Sequence, residues 1–160
     1  EDSPEGLNRE DAIFGASRCV AVSPSDTAPA LGALNATMVI SSEGGERLVS
    51  AEDFFVGPDR DIVNMTVLNE GEILTAIRLP SEWANAEYYW EKVADRNVWD
   101  FALVSVAAAM KVSGDTIQEA RIACGAVECV PRRLSDVENA LRGQQRSEAL
   151  AEQVGAMAIE

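Results

Sequence analysis

The sequence predicts an α+β fold, with short strands along most of the chain and helices gathered toward its C-terminal end. Three observations predict it. The runs "ATMVIS" and "RLVS" flank "SEGGE", whose consecutive glycines permit the positive φ of a tight hairpin. Two alternating runs, "FALVSVAAAMKV" and "IQEARIACGAV", meet at Gly114 and Asp115 and read as a second hairpin in preference to an alanine-rich helix. Past Pro131 the apolar positions change to helical spacing, at Leu134, Val137, Ala140 and Leu141.

Taken in order, "RCVAV" (18–22) reads as a short β-rich run. "SPSDTAPALGAL" follows as a short helix, N-capped by Ser25 or Asp26, with Pro29 in its first turn and Ala30, Leu31 and Leu34 on its apolar face. "AEDFF" (51–55) is long enough for one helical turn. "EILTAIRLP" (72–80) alternates and ends at Pro80, so it reads as a strand. The polar segment "SEWANAE" (81–87) is the expected internal boundary, after which "YYWEKVADR" (88–96) restarts the pattern. In the tail, "PRRLSDVENALRG" is expected to begin a helix near Pro131 and stop at Gly143. "SEALAEQVGAMAIE" is a second helix with Ser147 as its N-cap.

Composition narrows the function. The chain has 160 residues and a formal net charge of −14, from 27 acidic and 13 basic residues. That charge argues against a nucleic-acid or anionic membrane partner, because phosphates would be repelled. It reads as a solubilising surface, with a basic partner as the alternative. No apolar run reaches the roughly 20 residues that cross a bilayer, so no membrane insertion is expected. There is no histidine, which removes Ser-His-Asp and Cys-His pairs and imidazole ligation within this chain. Three cysteines, Cys19, Cys124 and Cys129, are an odd number with no secretory leader, so a disulfide framework is not expected. The acidic start without Met reads as a fragment or a processed chain.

Individual residues carry modest signals. The segment "SPSD" is first a helix cap; its functional version is a helix N-terminus with Asp26 accepting hydrogen bonds from ligand hydroxyls. Lys92, one of two lysines, is first a solvated residue or a partner of Glu91 or Asp95. Its functional version is an ammonium aimed by an aromatic-flanked strand at one ligand atom. Tyr88, Tyr89, Trp90 and Trp99 read as core or interface. Cys19 reads as a small buried hydrophobe.

In sequence order, "NREDAIFGASRCVAVSPSDTAPALGALNA", "GEILTAIRLP", "YYWEKVADRNVWDFALVSVAAAM" and "EARIACGAVECVPRR" resemble the FAD-binding medium subunit of the molybdenum hydroxylases. That group includes xanthine dehydrogenase, carbon monoxide dehydrogenase and aldehyde oxidoreductases. The resemblance implies that residues 1–80 are the C-terminal part of an FAD-binding α/β domain. Residues 84–160 would then be the flavoprotein C-terminal domain, a three-stranded antiparallel sheet packed by helices. It implies an oxidoreductase subunit that passes electrons from iron–sulfur clusters through FAD to NAD+ or another acceptor. The partners would be a molybdopterin-binding large subunit and a 2Fe–2S small subunit, in the cytoplasm or alternatively the periplasm. The family's flavin contacts fall on Asp26, Leu74 and Lys92, which are expected to lie near one another. In one branch a 4Fe–4S cluster is also bound, and Cys19 matches the last of its cysteines. The glycine-rich segments that wrap the FAD pyrophosphate precede the part seen here, so the isolated chain is expected to bind FAD poorly and be inactive. The alternative reading is a scaffold module that docks neighbouring subunits and has no redox role of its own.

Overall fold

Antiparallel pairing joins every strand to its neighbours in a computed structural model of the chain, which describes residues 11–15 and 19–159. The first sheet has the order β2-β1-β3, from β1 (Thr37–Ser42), β2 (Gly45–Ser50) and β3 (Ile73–Arg78). Its hairpin turns at Glu43 and Gly44, and Gly45 takes φ +117°, a value side chains disfavour. A single helical turn, α2 (Ala51–Phe54), follows with its first N–H groups capped by Ser50, whose hydroxyl accepts from Asp53 N at 3.1 Å. Met38 and Ile40 from the central strand meet Ala36, Ala51 and Phe54 in one apolar cluster. The long connection before β3 is tied back by Arg47, which donates from Nε and Nη2 to the two Glu72 oxygens at 2.7 Å each, and to Val67 O at 2.7 Å. These bonds bring the Glu72 carboxyl down to about 2.

The second sheet has the order β4-β5-β6-β7, from β4 (Glu87–Val93), β5 (Val104–Ser113), β6 (Thr116–Gly125) and β7 (Arg132–Arg133). The three long strands are the expected sheet, and the two-residue β7 adds a fourth. Its presence corrects the tail: Arg132 and Arg133 pair with Cys124 and Ala123, so Pro131 precedes a strand. The helix α3 (Ser135–Leu141) begins four residues later than expected. The last helix, α4 (Glu148–Met157), starts as read, with Ser147 Oγ accepting from Leu150 N at 3.1 Å.

The alanine-rich run is a strand because its two faces pack differently. Val106, Ala108 and Met110 lie with Ala120 and Ile122 beneath Val137, Leu141 and Val154 of α3 and α4. The opposite face offers Ser105, Ala107, Ala109, Ala123 and Gly125, which are small and allow α1 (Ala28–Ala33) to approach closely. Alanine here serves close packing, not helix propensity. Trp83, 2 % exposed, ends a short 3-10 turn, Ser81–Trp83, and Lys111 Nζ stands 4.1 Å from its ring centre. Within the segment 81–87 Trp83 is buried, while most of its neighbours are exposed.

"RCVAV" is not a strand over its described residues, which lie beside the 126–129 loop with too few backbone bonds for a ladder. Ser23 N donates to Glu128 O at 2.9 Å and Cys129 Sγ to Ala21 O at 2.8 Å. Arginine 18 lies outside the described residues.

Candidate functional site

The N-terminal end of α1 faces the middle of the second sheet, and the chemistry gathers there. Thr27 occupies the N-cap position, while Ser25 Oγ accepts from Ala28 N at 3.2 Å. Asp26 is therefore not the cap. Its carboxylate is left to receive Lys92 Nζ at 2.8 Å, across 66 residues of sequence. Lys92 sits on β4 opposite Ser105, and its side chain keeps 20 % of its exposure. A second bond runs from Lys92 Nζ to Asp100 O at 2.6 Å. Ion pair and carbonyl together hold the ammonium at one point, where a freely solvated lysine would sample many.

That carbonyl belongs to a loop folded around Asp100. Its carboxylate accepts from Arg96 N at 2.9 Å and from Phe101 N at 3.1 Å, and Arg96 Nη2 donates to Trp99 O at 2.7 Å. The Arg96 backbone bond is the main cause holding the Asp100 carboxyl below the usual carboxylate range. Trp99 takes φ +55° and is 93 % exposed. A positive φ in a bulky residue costs energy, and the bonds around Asp100 offset that cost. A cavity of about 270 Å³ opens beside the loop, lined by Trp90, Lys92, Arg96, Asn97, Trp99 and Asp100. A second, of about 220 Å³, is lined by Pro24, Asp100, Phe101 and Leu103 among others. Aromatic faces, a fixed cation and a cavity together fit a flat, electron-accepting ring that gains negative charge on reduction.

The structure joins Asp26 and Lys92, and places Leu74 on the other sheet. Leu74 is on β3, half-buried against the Met38 and Ile40 cluster of the first sheet, and is not part of the Asp26–Lys92 pair. Tyr88, Tyr89 and Trp90 are exposed, which removes the core reading for them. Cys19 is half-buried, not fully buried, and lies beside Cys129. Burial first, and then the neighbouring Cys19, push the Cys129 thiol up to about 11. Among the described residues no three Cys, Asp or Glu side chains are grouped to hold a metal ion. Those residues do not fit a four-cysteine cluster by themselves.

Sequence reasoning missed Asp100, Arg96 and the shape of their loop. The one available signal was the four-residue spacing of Arg96 and Asp100, which reads equally well as a helical pair.

Comparison with known proteins adds an independent line. Residues 8–82 match the FAD binding domain in molybdopterin dehydrogenase. Residues 89–160 match the CO dehydrogenase flavoprotein C-terminal domain. The chain is 37% identical over 130 residues to the glyceraldehyde dehydrogenase medium chain of Sulfolobus acidocaldarius, covering 81% of this chain and 44% of that protein. It is 37% identical over 132 residues to the aldehyde oxidoreductase FAD-binding subunit PaoB of Escherichia coli, covering 81% and 40%. Quinoline 2-oxidoreductase from Pseudomonas putida 86 superposes with a TM-score of 0.73 at 31% identity, over 86% of this chain and 46% of that one. Carbon monoxide dehydrogenase from Hydrogenophaga pseudoflava gives 0.75 at 29%, over 84% and 45%. The chain therefore spans less than half the length of these relatives.

Proposed function

The chain belongs to the family of FAD-binding medium subunits of the molybdenum hydroxylases, and on that premise we propose that it forms one wall of a flavin site in a multi-subunit oxidoreductase. Asp26, Lys92 and Leu74 are its proposed flavin-side residues. One observation carries the reading: Lys92 Nζ is fixed between Asp26 Oδ2 at 2.8 Å and Asp100 O at 2.6 Å, beside a cavity walled by Trp90 and Trp99. When bound, FAD supplies reversible electron-transfer chemistry that no side chain here provides. The chain's own part is electrostatic and geometric. The Lys92 ammonium favours negative charge on whatever group faces it, and Asp26 holds that ammonium in place. Leu74 contributes an apolar surface from the other sheet.

The proposal includes a division around Trp83, with residues 1–80 in the FAD-binding domain and 84–160 in the C-terminal domain. It is supported by the two domain matches, which end at 82 and resume at 89. Its partners are a molybdopterin-binding large subunit and a 2Fe–2S small subunit, with electrons leaving to NAD+ or another acceptor, in cytoplasm or periplasm. The medium-chain and FAD-binding-subunit relatives support an assembly of several subunits. No described helix is long and apolar enough to cross a membrane. A 4Fe–4S cluster at Cys19 would need ligands beyond Cys129, so no electron path is routed through one.

Lys92→Ala in the complete complex tests the reading. The expected result is lost flavin or a lowered flavin potential with assembly intact. Unchanged flavin content and potential together with impaired assembly would favour a docking role instead. That second reading has its own support in the exposed aromatics of β4, Tyr88 and Trp90 on one face and Tyr89 on the other.

A further inference from the structure

Lys92, Ser105 and Gly125 stand in one row across three strands, since Lys92 pairs with Ser105 and Ser105 with Gly125. Residues directly opposite in antiparallel strands project to the same face. The row therefore descends from a long side chain to a hydroxymethyl group to none. The helix α1 lies on this face. A Cβ on Gly125 would fall 2.6 Å from Pro29 Cγ and 2.6 Å from Ser105 Oγ, inside any real carbon contact. Gly125 is not among the glycines with positive φ, so what it supplies is space, not backbone freedom. The proline ring cannot rotate out of the way, because its torsions are locked.

The other end of α1 is pinned. Arg121 donates from Nη2 and Nε to Gly32 O at 2.9 and 3.2 Å, and it shares the Glu52 carboxylate with Arg133. A helix lifted at Pro29 and held at Gly32 must tilt at its beginning, and Asp26 lies three residues before Pro29.

We propose that Gly125 is a positioning residue for the Asp26–Lys92 ion pair: by giving α1 a floor without a Cβ, it sets how closely the Asp26 carboxylate approaches the Lys92 ammonium. The meaning of that distance for a flavin rests on the function proposed above, whereas the distance itself does not. The proposal accounts for three features together, namely the missing side chain at Gly125, the small Ser105 and a carboxylate released from capping.

The test uses the 160-residue chain labelled with 13C and 15N at lysine, which carries only Lys92 and Lys111 and so gives two side-chain ammonium signals. Asp26→Asn defines the position of an unpaired Lys92 signal. Gly125→Ala is expected to move the Lys92 signal toward that position while Lys111 stays. The comparison is made in a Ser105→Ala background, because the new Cβ would also meet Ser105 Oγ at 2.6 Å; there, adding Pro29→Ala, which removes the ring atoms in the way, is expected to bring it back. A folded Gly125→Ala chain with Lys92 at its wild-type position overturns the proposal, as does a shift that Pro29→Ala leaves unchanged. Should Gly125→Ala fail to fold, Ser105→Thr places one extra methyl in the same row, and the same shift, smaller, is expected; its absence overturns the proposal too. Gly125→Ala is then measured in the complete complex for the potential of its bound flavin. A Lys92 signal that moves while the potential does not would leave the positioning intact and sink the flavin reading.

Discussion

The two faces of the second sheet are built from the same strands and are packed for different ends. One face presents Val106, Met110 and Ile122 to α3 and α4 through large aliphatic side chains. The other presents serine, alanines and a glycine to α1, and ends in an ion pair at Lys92. Large side chains bury apolar area and so carry stability. Small ones bury little but let a helix come near enough for its flanking residues to be placed to within a bond length. The difference teaches that substitutions on the two faces should separate stability from placement.

Four experiments would break or sharpen that contrast. The largest effect is expected at Glu138, whose Oε1 accepts Ile122 N at 2.7 Å and Arg133 Nε at 2.7 Å in a buried setting. Glu138→Ala should cost about 4 kcal/mol in denaturant unfolding, because it leaves the Ile122 N–H unpaired in a buried setting and takes from Arg133 one of its two carboxylate partners, the other being Glu52. Leu141→Ala, on the aliphatic face, should cost about 3 kcal/mol and leave the Lys92 ammonium signal where it was. If that signal moves, the two faces are not independent. Lys92→Ala should cost below about 1 kcal/mol in stability while altering the flavin site of the complete complex, the reverse pattern. The smallest effect is far from both faces. The Glu72 carboxyl, lowered to about 2 in the fold by Arg47 from an ordinary 4.5, adds stability that is full above about pH 4.5 and lost as pH falls through 2. An acid titration of Arg47→Ala against the parent should differ in that window and converge below it.

How much of this was legible in the sequence depended on the range of the forces involved. The hairpin at Gly114 and Asp115 and the Ser147 cap are local, and both are found where the pattern places them. Pro131 misled because a proline suits the approach to a short strand as well as a helix start, and only pairing with Cys124 and Ala123 decides between them. "RCVAV" has strand composition, but among the described residues no strand lies beside it to complete a ladder. Asp26 looked like a cap because capping is a local property. Its actual partner lies on another strand, and nothing in "SPSD" encodes that distance. Leu74 was grouped with Asp26 and Lys92 through family resemblance alone, since no local pattern links a residue of the first sheet to an ion pair on the second. The fold around Asp100 was invisible for a further reason, since a positive φ at Trp99 has no sequence signature.

Both lysines are engaged, Lys92 with Asp26 and Lys111 with Glu119 and the Trp83 ring. The carboxylates number 27. Amine-directed cross-linkers applied to an assembled complex would therefore find few handles on this chain, and those in use already. Carbodiimide coupling through aspartate and glutamate is the chemistry by which its neighbours can be mapped.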